Sequence, residues 1–336
     1  MVNRIEGART GRHWSLVAGV VALAAVSFAG SPAAQTAGAY PDRPIKLVVP
    51  YPPGGSTDPV ARLLAADIGS RIGQPMVVDN KAGAAGSIGT EFVVRAPADG
   101  YTLLLHTSVI STEPSFKKSL SYDARRDLAP VTLAVTGPYL LVVHPTLPVA
   151  NVGELIAYAK ANPGKVNWAT HGMGAAQHLT GEMFAKAAGI QITPIHYQGS
   201  TPGVVDMLGG RVELMFDGAG TGLANVRSGK LKALGMGSDK RVPSEPNLPT
   251  WKESGVPVSA YTWYGIFAPT GTPMPVLEKL HAAITEAING VPYKTRIVQA
   301  EGEIPQMSIA ETRKFVADDT AMWQQLIPSL NLKLGE

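Results

Sequence analysis

Short hydrophobic runs alternate with helical patterns along most of the chain. Near the start of this pattern, strand-like runs at 45–49, 76–79 and 101–106 are separated by helical patterns at 59–72 and 87–96. Regular alternation of this kind is typical of α/β proteins, in which helices cover a sheet. The sequence therefore predicts an α/β fold with a mostly parallel sheet.

The spacing of apolar residues supports this assignment of helices and strands. Val60, Leu64 and Ile68 recur every four residues, as expected for a helix that buries one face. By contrast, residues 47–49 form a continuous apolar run, which is typical of a strand that is covered on both sides. We expect this first strand to lie inside the sheet.

A second α/β series follows, and two helix starts within the later chain carry capping signals. Asn151 is followed three residues later by Glu154, and Ser308 is followed by Glu311. A third helical pattern covers 276–288. The second series predicts further strands at 139–143, 166–170, 192–197, 212–216 and 231–236.

Two α/β series and a C-terminal helical segment suggest two lobes, with the chain crossing between them at least twice. We predict one lobe at 40–137 plus 260–336 and the other at 138–259. The candidate crossings are 134–138 and 259–263. Gly137-Pro138 is expected to break one strand pattern before the next begins. Ligands of such folds bind beyond the carboxyl ends of the strands, so the following loops are the candidate functional sites.

The first 39 residues have the pattern of a secretory signal sequence. Three arginines precede an apolar stretch from Leu16 to Ala29, and small residues follow it. This stretch is shorter than the roughly 20 residues that a membrane-spanning helix needs. We therefore expect cleavage after Ala39 and export to the periplasm, with an uncleaved anchor as the alternative.

Composition and charge exclude several classes of function. The predicted mature chain has 26 basic and 25 acidic residues, so it lacks the positive surface of a nucleic-acid-binding protein. Cysteine is absent, which excludes disulfides, thiol nucleophiles and thiolate zinc sites. No later segment has the length of a membrane span. The mature chain is thus expected to be soluble, without metal or other cofactor.

Three strand-to-helix loops are rich in glycine and small residues. The first runs from Tyr51 to Asp58, the second from Asn80 to Ser87 and the third covers 168–178. Glycines let backbone N–H groups approach a ligand, and a helix start favours a negative charge. These loops predict anion sites. In the first loop, Thr57 or Asp58 is also expected to be the helix N-cap before Pro59.

Other readings of these loops have weaker support. Ser87 lies in a segment one residue short of a hydrolase nucleophile elbow, but no spacing supplies its His and acid partners. His171 and His178 are predicted to cap helices or bind ligand rather than hold a metal. Asp217 at a strand end either accepts from a ligand or caps a turn. We expect no catalytic residues and no enzyme activity.

Taken in order, these loops resemble the tripartite tricarboxylate transporter substrate-binding proteins, also called the Bug family of periplasmic solute receptors. The resemblance covers nearly all of the predicted mature chain. The motifs that carry it are Tyr-Pro-Pro-Gly-Gly-Ser-Thr-Asp at 51–58, Val-Asp-Asn-Lys-Ala-Gly-Ala-Ala-Gly-Ser-Ile-Gly at 78–89, Ala-Asp-Gly-Tyr-Thr-Leu-Leu at 98–104, His-Tyr-Gln-Gly-Ser-Thr-Pro at 196–202, and Trp-Tyr-Gly-Ile-Phe-Ala-Pro at 263–269.

The resemblance implies a two-lobed type II periplasmic-binding fold that closes on a small organic carboxylate. It also implies a monomeric receptor that delivers this ligand to integral membrane transporter components. A receptor for a signalling partner is the alternative that the sequence leaves open. The residues carried over as ligand-binding are Gly55, Ser56 and Asp58 in one lobe, Thr170, Gly174, Ala175 and His178 in the other, and Ala84, Ala85, Gly86, Ser87, Thr107 and Asp217 nearby.

Aromatic residues and two departures from the family pattern bear on which acid is bound. Four aromatic residues are expected either to stack on an aromatic acid or to form ordinary cleft wall or core: Tyr51, Trp168, Tyr197 and Trp263. Where the family often has Tyr-Lys-Gly, this chain has Gln198, and Lys81-Ala82-Gly83 replaces an Arg-Pro-Gly run. The sequence predicts a dicarboxylate, tricarboxylate or aromatic carboxylate without choosing among them.

Overall fold

The computed structural model describes residues 40–116, 120–299 and 301–330. The predicted signal sequence and its cleavage site lie outside these residues. Nine strands occur in the described part of the chain: β1 Ile45–Val49, β2 Met76–Asn80, β3 Thr102–Thr107, β4 Leu128–Val143, β5 Asn167–Thr170, β6 Thr193–His196, β7 Leu214–Gly218, β8 Lys232–Met236 and β9 Tyr261–Pro269.

Helices alternate with these strands, which confirms the α/β prediction. Two short 3₁₀ segments lie at Ala84–Gly86 and Ile327–Leu330. The α-helices in the described chain are α1 Thr57–Ile72, α2 Ser87–Val94, α3 Val109–Phe116, α4 Ala124–Asp127, α5 Val152–Ala161, α6 Ala176–Ala188, α7 Ser200–Leu208, α8 Ala219–Arg227, α9 Met274–Asn289, α10 Val291–Gln299 and α11 Ile309–Leu326.

The strands form two sheets that share β4. In the first sheet β2, β1 and β3 are parallel, and β9 and the first part of β4 extend it with antiparallel pairing. In the second sheet β6, β5 and β7 are parallel, and β7 and β8 flank the second part of β4. Each sheet thus has three parallel strands on its outer side. The antiparallel strand pairs lie near β4, which the two sheets share.

The predicted strand break at Gly137-Pro138 is wrong. β4 continues through both residues, and Pro138 pairs with Tyr261, the first residue of β9. From Tyr139 onward β4 pairs with β7 and β8 instead. The proline is tolerated because it lies at the end of one ladder, where the strand exchanges partners. The lobe boundaries themselves stay a prediction.

Each sheet has its own hydrophobic core. Around the first sheet, buried residues of β1 and β3 pack against α1 and α9, and Val60, Leu64 and Ile68 lie in this core as their spacing predicted. Around the second sheet, Trp168, Phe184 and Trp251 pack together. A smaller apolar cluster joins α6 to the C-terminal α11 through Leu179 and Trp323.

The predicted caps at two helix starts are confirmed. The Asn151 side chain accepts a hydrogen bond from Glu154 N, and Ser308 and Glu311 form a complete capping box. Within residues 40–116, 120–299 and 301–330, no helix combines the length and apolar character that a membrane span requires.

Candidate functional site

The turn between β1 and α1, residues 51–56, is shaped by one buried carboxylate. Asp58 Oδ2 accepts hydrogen bonds from Gly54 N at 3.1 Å and from Arg62 Nε at 3.0 Å. Burial acts to raise the pKa of Asp58, but the hydrogen bonds from Arg62 and Gly54 outweigh it and lower the pKa. Asp58 is therefore an anion whose function in this structure is to hold the turn. We call residues 51–56 the first turn.

Asp58 does not cap α1, contrary to the sequence-based expectation. The helix begins at Thr57, and its N-cap residue Ser56 makes no side-chain capping bond. Because Asp58 Oδ2 bonds back to Gly54, that oxygen holds the turn rather than capping the helix. The start of α1 therefore lacks the side-chain cap that many helices have. It also lies close to the facing sheet.

The corresponding turn of the second sheet, residues 170–175, follows β5. Gly174 N donates to His178 Nδ1 at 3.1 Å, and His178 Nε2 lies 3.6 Å from Glu182 Oε1. The His178 ring stacks on the buried Trp168, with 5.8 Å between ring centroids. His178 thus supports this second turn from behind, and Trp168 is part of the core rather than the cleft wall.

The first and second turns face each other and the two sheets touch between them. Ser56 N donates to Ser200 Oγ at the start of α7 at 3.3 Å. Thr112 Oγ1 of α3 donates to the carbonyl oxygen of Gly174 at 2.7 Å. A Cβ atom added to Gly55 would lie 3.2–3.3 Å from the hydroxyl oxygens of Ser200 and Thr201, so this approach requires glycine.

The loop before α2 has an unusual backbone. Ala84, Ala85 and Gly86 have φ values of +46°, +51° and +98°, although alanine rarely adopts this left-handed region. This loop also meets the second turn, since a Cβ on Gly172 would lie 3.2 Å from Ala85 Cβ. Ser87 Oγ lies 3.0 Å from both the Ala84 carbonyl oxygen and Glu113 Oε1.

A small chamber of about 20 Å³ lies where the turns meet. Within it, Tyr51 OH and Thr107 Oγ1 are hydrogen-bonded to each other at 2.8 Å. Among the described residues, no lysine or arginine lines this space. The chamber is lined by Tyr51, Pro52, Gly55, Ser56, Thr57, Thr107, Val109, His171, Gly199, Ser200 and Thr201.

Two polar atoms of this chamber have no hydrogen-bond partner within the described chain. His171 Nε2 and Thr201 Oγ1 each expose less than 1 Å² to solvent. Burial lowers the pKa of His171 to about 4, so its ring is neutral at pH 7. The chamber therefore offers neutral hydrogen-bonding groups and no full charge.

A larger cavity of about 480 Å³ lies on the other side of the first turn. It is bordered by the first turn, by β4 and β9 near their partner exchange, by the start of α8 and by α10. Asp217 is buried next to this cavity and accepts from Gly218 N at 2.9 Å. Burial raises its pKa to about 7, and the Gly218 bond opposes this shift.

The structure brings some of the sequence-predicted site residues together and places others behind the turns. Tyr51, Gly55, Ser56 and Thr107 line the chamber, whereas Tyr197 donates its hydroxyl to Asp206 Oδ2 at 2.8 Å. Thr170 Oγ1 lies 2.8 Å from His196 Nδ1, so it too contacts its own sheet. The remaining predicted residues flank the contact between the sheets: Ala84, Ala85, Gly86, Ser87, Gly174 and Ala175.

Sequence reasoning missed part of the chamber. Gly199, Ser200 and Thr201 follow β6 in the same order of strand, glycine, hydroxyl and helix that marked the first turn. That pattern could have identified them. His171 was predicted from the sequence to cap a helix or bind ligand, but its position in the chamber depends on how the two sheets meet.

Comparisons with known proteins agree with this architecture. A sequence model described as tripartite tricarboxylate transporter family receptor matches residues 60–332. The chain is 38% identical over 313 residues to protein BugT of Bordetella pertussis, covering 92% of this chain and 96% of BugT. This chain belongs to the tripartite tricarboxylate transporter receptor family.

Solved structures of receptors extend the similarity to the fold. The periplasmic binding protein BugD is 37% identical, with a TM-score of 0.83 over 87% of this chain and 98% of BugD. An R. palustris protein solved with adipate is 31% identical, again with a TM-score of 0.83 over 87% of this chain and 98% of its own. The two-lobed periplasmic-binding fold expected from the sequence is thus confirmed.

These relatives are solute receptors rather than enzymes. Within the described residues, no cluster of three or more His, Asp or Glu side chains has the arrangement of a metal site. The groups that meet in the chamber are hydroxyls, a neutral imidazole and backbone amides. Such groups are suited to binding a small polar ligand.

Proposed function

We propose that this protein is a periplasmic receptor that captures a small organic carboxylate between the first and second turns. The observation that carries the proposal is the small chamber where the first turn meets His171 and the start of α7, lined by hydroxyls and helix starts without lysine or arginine. Helix starts and backbone amides are suited to a carboxylate, because their dipoles point toward the bound charge. The related R. palustris structure, which contains adipate, supports a ligand of this class.

Fixed donors would stabilise the acid by replacing its water shell when the sheets come together. Each charge-assisted hydrogen bond contributes about 1.5–3 kcal/mol net, and micromolar binding needs about 8 kcal/mol, so several such donors must act together. Ser56 N is one such donor, and in this structure it bonds to Ser200 Oγ at 3.3 Å. An incoming carboxylate would exchange with that contact. Closure is favoured because the closed form binds the acid more tightly than the open form.

The size of the two cavities indicates how a ligand would be accommodated. The chamber of about 20 Å³ holds roughly one water molecule, whereas the cavity of about 480 Å³ is in the range of ligand pockets. Both adjoin Gly55 and Ser56. The acid would therefore bind with its carboxylate at the Ser56 amide and its body toward the larger cavity, once the contact between Ser56 and Ser200 has opened.

The predicted site residues then divide into two roles. Gly55, Ser56, Tyr51 and Thr107 would contact the ligand or its waters, together with His171 of the second turn. Asp58, Thr170 and His178 would act as positioning residues, because their side chains bond within their own turns or sheets. Asp217 lies beside the larger cavity, where a ligand hydroxyl or amine could reach it.

Delivery to a membrane partner is the second part of the proposal. The ligand-bound receptor would dock as a monomer on integral membrane components of a tripartite tricarboxylate transporter. Capture of those components from membranes by the ligand-loaded protein, but not by the ligand-free protein, is the expected result. Capture of a sensor protein instead would identify a signalling receptor.

A thermal-shift screen across carboxylic acids tests the binding claim. A ligand at 100 times its dissociation constant stabilises the folded state by about 2.7 kcal/mol. Ser56→Phe is expected to abolish the shift, because a bulky side chain keeps the turns apart. Ser70→Phe, at an exposed position near the end of the same helix, is the matched control. No shift with any acid would contradict the proposal.

The remote hydrolase alternative has its own test. Ser87→Ala removes the hydroxyl of the near-match to a nucleophile elbow. We expect this variant to keep its ligand-induced thermal shift and the parent protein to show no turnover of esters of the bound acid. Turnover that is lost in Ser87→Ala would overturn the receptor assignment.

A further inference from the structure

The polar atoms of the chamber are not all satisfied by one another. Tyr51 OH and Thr107 Oγ1 bond to each other, and Ser200 Oγ accepts from Ser56 N. His171 Nε2 and Thr201 Oγ1 remain enclosed and without a partner in the described chain. Each enclosed polar atom without a partner costs about 1–3 kcal/mol. Two such atoms on residues that line one small chamber indicate side chains that are available to bind a ligand group.

Both atoms belong to the second sheet, and its own hydrogen bonds fix their backbone. His171 N donates to Gln177 Oε1 at 2.7 Å. Gly199 N donates to the carbonyl oxygen of His171 at 3.3 Å, which ties the start of α7 to the second turn. The spacing between the His171 and Thr201 backbones is therefore set before the two sheets close. The subsite is largely preformed.

The chemistry of the His171 and Thr201 side chains favours one kind of ligand group. A neutral imidazole nitrogen either donates or accepts, depending on the tautomer, and a threonine hydroxyl can do both. A ligand hydroxyl also donates and accepts, so it can satisfy both atoms at once. A carboxylate oxygen only accepts, and the described lining of the chamber offers no lysine or arginine to balance a second charge.

The space available agrees with a single oxygen-sized group. The chamber of about 20 Å³ is close to the volume that one water molecule needs. A hydroxyl fits this space, whereas a second carboxylate group does not.

We propose that His171 and Thr201 form a hydroxyl-binding subsite, which makes this receptor selective for hydroxylated carboxylic acids over their deoxy counterparts. This inference rests on the proposed capture of a carboxylate between the first and second turns. It adds a substrate class to that function and assigns the selectivity to two side chains, of which only His171 was considered for ligand binding from the sequence.

Matched pairs of acids that differ by one hydroxyl test the subsite directly. The probes are succinate and malate, glutarate and 2-hydroxyglutarate, and 3-phenylpropanoate and 3-phenyllactate, each titrated by calorimetry. In at least one pair the hydroxylated acid is expected to bind about tenfold more tightly, since a site built to bond a hydroxyl rejects the analogue that lacks it. If a water molecule stays in the subsite whichever acid of a pair is bound, the ratio of the two affinities will be near one. That result would overturn the proposal.

Substitutions at Thr201 and His171, with two controls at other positions, locate the selectivity. Thr201→Val and His171→Leu keep the approximate size of each side chain and are expected to reduce the tenfold ratio to about twofold or less. His171→Gln restores a donor and an acceptor and is expected to recover part of the ratio. Thr285→Val in α9, whose hydroxyl is also buried without a partner in the described chain, and His144→Leu both lie outside the two cavities and should leave the ratio unchanged.

The possible outcomes separate this proposal from the receptor function. Binding of carboxylates with no preference for a hydroxyl in any pair overturns the subsite and leaves the receptor function standing. Binding of no acid at all overturns both. A preference that persists in both Thr201→Val and His171→Leu shows that the hydroxyl is recognised elsewhere. Unfolding curves of every variant show whether a lost ratio comes from a misfolded protein.

Discussion

The first and second turns are held by the same device with different chemistry. In each, a glycine N–H donates to a side chain four residues later: Gly54 to Asp58, and Gly174 to His178. Asp58 is an ion paired with Arg62 at 3.0 Å, whereas His178 lies against the Trp168 ring. The first turn is therefore supported by a charge and the second by an aromatic stack.

This difference teaches how the chamber side of an anion site can be built without a basic side chain, whereas Arg227 and Arg296 line the larger cavity. The charge of Asp58 is compensated by Arg62, whose own side chain is more than half exposed and points away from the chamber lining. The second turn needs no compensation because its support is an imidazole. Both turns are thus shaped from behind. In front, Ser56 N faces the opposite sheet, and Tyr51, Thr107 and His171 line the chamber.

Gly55→Val is expected to have the largest effect on binding. Its Cβ would lie 3.2–3.3 Å from two hydroxyl oxygens of the opposite sheet, and the extra methyl groups would keep the turns apart. We expect affinity for the best carboxylate to fall more than about 100-fold in calorimetry, with little change in unfolding. Gly153→Val is the control, since a Cβ there also lies 3.3 Å from a side-chain oxygen, Asn151 Oδ1, but Gly153 lines neither cavity. Equal effects at both positions would contradict closure at the first turn.

Asp58→Ala tests whether the charge supports the first turn. Loss of the bonds to Gly54 and Arg62 is expected to lower the free energy of unfolding by about 2–3 kcal/mol. Asp67→Ala provides the matched comparison, because Asp67 forms the same four-residue pair with Arg71 on the same helix but is about one-third exposed. Its cost should stay below about 1 kcal/mol. Chemical denaturation measures both, and similar costs would show that the Gly54 bond contributes little.

The pH dependence of stability should differ between the turns. His171 in the second turn has a pKa near 4 when folded and 6.5 otherwise, so the unfolded chain binds the proton first as pH falls. The stability of the parent relative to His171→Leu is therefore expected to fall by roughly 3 kcal/mol from pH 7 to pH 4. Asp58 has a lowered pKa, so its contribution is lost only below about pH 4. Denaturation curves between pH 3 and pH 8 that show no such difference would contradict the burial of His171.

Thr112→Val is expected to have the smallest effect. It removes the bond from Thr112 Oγ1 to the Gly174 carbonyl oxygen, which links the two sheets at 2.7 Å. We expect ligand to dissociate about threefold faster, as measured by stopped-flow fluorescence. Thr180→Val is the control, because the hydroxyl of Thr180 bonds within its own helix to Ala176 O. A faster rate in both variants would point to a general loss of rigidity.

Much of the fold followed from local sequence patterns. The spacing of Val60, Leu64 and Ile68 predicted a buried helix face, and the capping signals at Asn151 and Ser308 predicted helix starts that the structure confirms. The glycines at 54–55 and 172–174 marked turns after strands. These features depend on neighbours in the chain, which is why sequence alone reveals them.

Other features depend on contacts between distant segments. Gly137-Pro138 has the local signature of a break, yet β4 continues because β9 and then β7 and β8 pair with it. Asp58 was expected to cap α1 but bonds back to Gly54, a choice set by the shape of the turn. Similarly, His171 and Thr201 come together only through the pairing of β5 with β6. Tertiary packing decides these cases.

Hydrogen–deuterium exchange with and without bound acid tests the central claim most directly. The acid with the largest thermal shift is added to the protein, and peptides covering 51–58 and 170–178 are followed by mass spectrometry. Capture between the two turns predicts slower exchange in both segments, with little change in the exposed stretch 240–248. Protection of only one of the two segments, or of neither, would contradict it.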